Sequence, residues 1–276
     1  MPHLFWGLIM LPDLYIDGFS SLIGECSLED FAPFLQARSL RRSDNISKNV
    51  LLCSFRAMQQ AGLNGVQHKD TGISLAMGAG ALTSTVKFMD SIIEDGDELS
   101  SPTAFASSVH NSAALVLSVF LNIKGPCVIT GQFDSSFAAA LLTARQFIAK
   151  EMCRKVLLAA TEDINPLVAD ILCKDNALLA PFIYCPHLPP KRAAAAFIVS
   201  AKPTDKTLFV LKNISLGIED NSAKAQEQNT PDIQINSCAH TALSLAEYLK
   251  SAKPFTMHDT FAGAVLNING EPYVQP

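Results

Sequence analysis

Between residues 70 and 200, short apolar runs of small and β-branched residues take turns with longer segments of helical period, and this alternation most limits what the chain can fold into. TGISLAMGAG alternates small and apolar residues between Gly72 and Gly80, as a buried strand does. TSTVKFMDSIIEDG then returns to a helical period. GPCVITGQF is a short β-branched run opened by Gly125-Pro126, and DSSFAAALLTARQFIAKEM follows as a long helix with an Asp-Ser-Ser cap at its start. CRKVLLAATEDINP reads as a further strand leading into a polar loop. Strands separated by helices of this length predict the α/β class, with a mostly parallel sheet and helices on its faces.

The flanks are read the same way. Residues 4–18 form an extended apolar opening, a strand with turn signals at Pro12 and Gly18, and LEDFAPFLQARSL is a short helical stretch broken at Pro33. Ser43-Asp44 caps an amphipathic helix in which Val50, Leu51, Phe55, Met58 and Leu63 recur at helical spacing, ending at Gly62. VHNSAALVLSVFLNI is apolar on nearly all sides, which a helix tolerates only when other protein covers it. AAAAFIVSAK and KTLFVLKNISLGI read as adjacent strands, and residues 219–232 as a polar surface loop. INSCAHTALSLAEYLKSA is a helix, and FAGAVLNINGEPYVQP a closing strand with a turn at Asn269-Gly270.

Composition narrows the function. Charged residues are 17% of 276, against roughly 25% in an ordinary soluble chain, so the surface has apolar area to hide and an obligate interface is expected. The formal net charge of -5 gives no basic face for nucleic acid. Arg38 with Arg41-Arg42 is the only basic cluster, read as the exposed start of a helix. The apolar opening is interrupted by Pro12, Asp13 and Asp17 and lacks a basic flank, so it is not expected to serve as a signal peptide. No run reaches the ~18 uncharged apolar residues of a membrane span, and the expected location is the cytoplasm. Seven cysteines without CxxC spacing, and six scattered histidines, predict free thiols and neither metal nor cofactor.

The stretch SPTAFASSVHNSAALVLSVFLNIKGPCVITGQFDSSFAAALLTARQFIAKEMCRKVLLAATED resembles the amino-terminal half of β-ketoacyl synthases, in particular their short, synthase-like N-terminal family, which includes chain-length-factor-like subunits. RRSDNISKNVLLCSFRAMQQAGL is similar to the helix that family carries near its start, and KRAAAAFIVSAK to the strand closing the first half. The resemblance implies a thiolase-like layered α-β-α fold, mostly one half of a ketosynthase. Residues 1–200 would form the ketosynthase N-terminal-like domain, and residues 201–276 a reduced segment that completes the sheet or packs on a partner.

In active relatives a cysteine sits in the tight turn between strand and helix, where the helix N-terminus stabilises its thiolate. Here the turn reads Gly131-Gln132-Phe133-Asp134-Ser135-Ser136, and counting from both sides places Asp134 at the cysteine position. A carboxylate is a poor acyl acceptor, so Asp134 is read as a helix N-cap and not as a catalytic residue. Cys127 falls on the apolar strand before the turn and is read as core. His110 opens an apolar helix and is read as an interface or capping group. Chain-length factors carry Gln at the nucleophile site, whereas this chain has Asp134 there and Gln132 two positions earlier.

The resemblance therefore implies a catalytically silent subunit. It would pair as a heterodimer with a full-length β-ketoacyl synthase and reach the acyl carrier protein through the complex, in type II polyketide, aryl polyene or fatty-acid-like biosynthesis. Candidate pocket and interface residues are Phe105, Val109, His110, Asn111, Gln132, Phe133, Asp134 and Phe137. One alternative is an independent homodimeric acyltransferase or hydrolase using Asp134, His110 or His258. The other is an acyl-carrier-protein docking module.

Overall fold

A computed structural model describes residues 11–41, 43–63, 68–163, 192–218, 238–261 and 264–275. Its strands are β1 (Leu14–Ile23), β2 (Thr71–Ala76), β3 (Cys127–Thr130), β4 (Lys155–Glu162), β5 (Ala193–Ser200), β6 (Phe209–Ile218), β7 (Phe255–Phe261) and β8 (Ala264–Pro272). The helices are α1 (Asn45–Gln60), α2 (Leu82–Asp95), α3 (Pro102–Ser108), α4 (Asn111–Phe120), α5 (Ser136–Ala149) and α6 (Cys238–Lys250). Short 3-10 turns at Glu29–Phe31 and Ala37–Leu40 stand where the interrupted helical stretch was expected. Arg38 and Arg41 are exposed just ahead of α1, as read. The polar stretch 219–232 lies outside the described residues.

The strands form one eight-stranded sheet in the order β3-β2-β4-β5-β1-β6-β8-β7. Helices α1 and α4 cover one face through Val50, Leu51, Leu117 and the inward side of β4 and β5. On the other face α5 and α6 bury Phe137, Leu141, Leu243 and Ala246. This is the layered α-β-α arrangement, and its two cores exclude water from both sides of the central strands. β4 and β5 accordingly read as almost unbroken buried apolar runs.

The mostly parallel sheet is corrected. Only β2–β3 and β2–β4 pair in parallel; β1–β5, β1–β6, β4–β5, β6–β8 and β7–β8 are antiparallel. Strand–helix alternation holds strictly only from β2 to β4, and a parallel crossover needs that intervening helix. The two runs read as adjacent strands, β5 and β6, are separated by β1, which pairs with both. Asn269-Gly270 makes no turn: both lie within β8, opposite Lys212 and Leu211 of β6. Glycine is needed at 270 because the Phe255 ring lies on it, and a β-carbon there would fall 2.2 Å from the ring.

Two buried polar groups fix the sheet. Asp17 sits at the β1 register shift with no exposure, ion-paired to Lys155 and accepting from the Thr207 hydroxyl at 2.7 Å. Arg145 of α5 is buried and donates to the main-chain oxygens of Leu11, Pro12 and Ile214 at 2.7–3.0 Å. Helix α1 begins as expected: Asp44 Oδ1 accepts from the Ser47 amide at 2.7 Å.

Candidate interface and strand-to-helix turn

β3 lies at one edge of the sheet, so its outer side has no strand neighbour among the described residues. Cys127 and Val128 on it are exposed, which corrects the core reading of Cys127: on an edge strand with no strand on its outer side among the described residues, that residue is left partly open. Burial nevertheless raises the Cys127 thiol pKa above its ordinary value.

The chain leaves β3 through Gly131 and Gln132 and enters a 3-10 turn, Phe133–Ser135, before α5. Phe133 takes a left-handed backbone, φ 49°, which non-glycine residues adopt mainly in strained turns. The turn is stitched by its serines. The Gln132 amide donates to Ser136 Oγ at 2.7 Å, Ser136 Oγ donates to the Phe133 oxygen at 2.6 Å, and Ser135 Oγ donates to the Gln132 oxygen at 2.7 Å. The cap expectation is corrected in place: Asp134 falls inside the turn, and the N-cap position belongs to Ser135, whose hydroxyl bonds backwards and not to the helix amides. The strained residue at the start of the turn is Phe133, one position before Asp134. Its ring is exposed, as is Gln132.

His110 does not cap α4 through its side chain. Its ring lies over two glycines that follow parallel strands: a β-carbon on Gly80 would stand 2.3 Å from Nε2, and one on Gly131 3.6 Å from Cδ2. Glu162, at the end of β4, holds the Gly78–Ala79 loop by accepting from the Gly78 amide at 2.9 Å and the Ala79 amide at 3.2 Å. The imidazole, the β2 loop and the turn thus sit together at one end of the parallel strands.

Helices α3 and α4 meet at a bend of 92° with Val109 and His110 at the break. Their outward residues are Phe105, Val109, Asn111, Leu115 and Val119, all exposed, Leu115 by 65% and Val119 by 62%. The helix expected to be wholly covered buries only Ala113, Ala114 and Leu117, so its i, i+4 stripe at 115 and 119 faces outward. Large apolar residues on such a stripe, beside an open strand edge, are what an interface requires.

Of the candidate residues, the structure groups Phe105, Val109, His110, Asn111, Gln132 and Phe133 on or beside this surface. Phe137 is corrected: it is fully buried in this chain's own core against Phe197, because α5 turns that side of its first turn onto the sheet. His258 is on β7, the opposite edge of the sheet from β3, paired with Asn267, and so is not assembled with His110 and the turn. Leu115, Val119 and Glu162 were not singled out from sequence. The helical spacing of 115 and 119 on an all-apolar helix was their signal; Glu162 had none. Among the described residues no single helix is long and apolar enough to cross a membrane.

Residues 30–259 match the family model described as Beta-ketoacyl synthase, N-terminal domain. No curated protein matches. Among solved structures, the chain is similar to the ishigamide ketosynthase/chain length factor, with a TM-score of 0.71, 11% identity, and coverage of 95% of this chain and 100% of that one. It is also similar to a type II polyketide synthase acyl-carrier protein in complex with its ketosynthase bound to the hexaketide, with a TM-score of 0.73, 12% identity, and coverage of 96% and 100%. A ketosynthase in complex with its chain length factor from Xenorhabdus doucetiae gives a TM-score of 0.56 and 15% identity over 93% and 99%. At these identities the likeness is one of fold.

Proposed function

The chain belongs to the β-ketoacyl synthase N-terminal domain family, and on that premise we propose that it is a chain-length-factor-like subunit that pairs with an active synthase and leaves the acyl chemistry to it. The observation that carries this reading is the apolar surface left open among the described residues by the edge of β3 and the outward stripe of α3 and α4, next to a turn with no thiol. An acyl-enzyme needs a nucleophile presented at the helix N-terminus. Here the strained position holds Phe133, and Gln132 and Asp134 flank it. Neither an amide nor a carboxylate supplies a stable thioester-like intermediate.

In this reading β3 and α4 meet their counterparts on the synthase in a pseudo-twofold heterodimer. Phe105, Val109 and Phe133 contribute one wall of the acyl pocket, and their bulk limits the length of the growing chain. His110 is held in place by its glycine seat and presents a polar group at the joint. Residues 1–200 are the ketosynthase N-terminal-like part, and residues 201–276, through β6, β7 and β8, extend its sheet. The acyl carrier protein is engaged through the complex, in type II polyketide, polyene or fatty-acid-like synthesis.

The test is co-expression with a full-length synthase, followed by size-exclusion chromatography with mass determination and a malonyl-carrier elongation assay on each protein alone and on both together. A one-to-one complex, active only while the synthase cysteine is intact, is the expected result. Turnover by this chain alone, abolished on changing Asp134 or His110, overturns it; so does carrier binding by the isolated chain without any synthase complex.

A further inference from the structure

Helix α2 carries two local costs that nothing among the described residues offsets. Ser84 is its only buried residue, while Met89 and Ile93 are exposed, Ile93 by 76%, and Leu99 just beyond is exposed by 74%. The second cost is electrostatic. Asp90, Glu94, Asp95 and Glu98 gather at the C-terminal end, where the helix carbonyls already concentrate negative potential, and the last turn has no basic residue. All four are exposed, and none forms an ion pair among the described residues. Lys87 stands one turn before Asp90 and two turns before Asp95, and it forms no ion pair with either among the described residues.

Both costs are relieved by one kind of surface: an apolar seat ringed by Lys or Arg. The patch is continuous with the surface described above, since the Phe88 ring of α2 packs on Phe105 of α3 with centroids 5.2 Å apart. A second copy of this chain is a poor occupant, because a twofold contact through this patch sets acid against acid in a protein of net charge -5. An acidic carrier protein is repelled by the same charges.

We propose that the apolar, acidic end of α2 and the turn after it form a second docking patch for the partner synthase, met by a basic surface of that subunit. The inference rests on the heterodimer reading above. Opposite charges at the rim of an interface act mainly on association rate, partner choice and salt dependence.

The test compares the wild-type chain with Asp90→Asn/Glu94→Gln/Asp95→Asn/Glu98→Gln and, separately, with Ile93→Ser, in binding to the purified synthase at low and high ionic strength. The expected result is an affinity about tenfold weaker for the neutralised chain, with a flattened salt dependence, and weaker binding for Ile93→Ser. The isolated variants should melt no lower than wild type, since the changes remove acids from the wrong helix end or an exposed apolar side chain. A wild-type complex whose affinity and salt dependence are untouched by neutralisation overturns the patch and leaves the heterodimer standing. Self-association of the isolated chain that is lost on neutralisation also overturns it. Absence of any complex with wild type overturns both readings together.

Discussion

Arg145 Nη1 donates to the main-chain oxygen of Ile214, 2.8 Å away and 69 residues on, tying α5 to the β6 strand at its register shift. The same guanidinium serves Pro12 and Leu11, so one buried cation holds two distant backbone segments to α5, with no carboxylate in contact among the described residues. Replacing Arg145 with Met leaves three carbonyls short of donors. The expected loss is about 2–4 kcal/mol in urea denaturation, far above that of an exposed arginine.

His110 and Gly80 fit ring against backbone. In Gly80→Ala the added methyl meets the imidazole at 2.3 Å, and the backbone there has φ +75°, which disfavours a side chain. The variant is expected to lose about 1–3 kcal/mol and to weaken synthase binding. In Gly80→Ala/His110→Ala the steric part of that loss should be recovered, measured by thermal melting of the double variant.

The cysteines report on the open edge. Cys53 is buried and its thiol is pushed up to about 12, so it should resist alkylation at neutral pH. Cys127 is exposed on β3 with a raised pKa; its thiolate fraction at neutral pH is below that of a free cysteine and grows as pH rises. Peptide mapping after alkylation should find Cys127 labelled in the isolated chain, faster at alkaline pH. Bound to a synthase, Cys127 should be protected.

Leu115 separates interface from core. Because it is exposed in this chain, Leu115→Asp should change the stability of the isolated protein by no more than about 0.5 kcal/mol. The same variant should fail to co-purify with the synthase, because it places a charge in a desolvated contact. Unfolding of the isolated variant would contradict the exposure of Leu115 on α4.

Phe133 tests the pocket. Co-expressed Phe133→Ala should give longer products, while product length unchanged from wild type would remove Phe133 from the wall. Stability measured in parallel is expected to change little, since the ring is exposed.

Local sequence was enough for the elements whose determinants are local. The Asp44 cap, the 3.6-residue period of α1 and the strand–helix alternation from β2 to β4 need only neighbours in the chain. The turn was recognised by its position between strand and helix. Tertiary structure decided what depends on distant partners. β1 is inserted between β5 and β6, since hydrogen-bonded strand neighbours need not be neighbours in sequence. Asn269-Gly270 is strand because β6 and β7 pair with it from both sides, Phe137 turned inward onto Phe197, and Cys127 was left on an open edge. Which face of an all-apolar helix is covered depends on what packs against it, so only the assembled fold showed that Leu115 and Val119 stay exposed among the described residues.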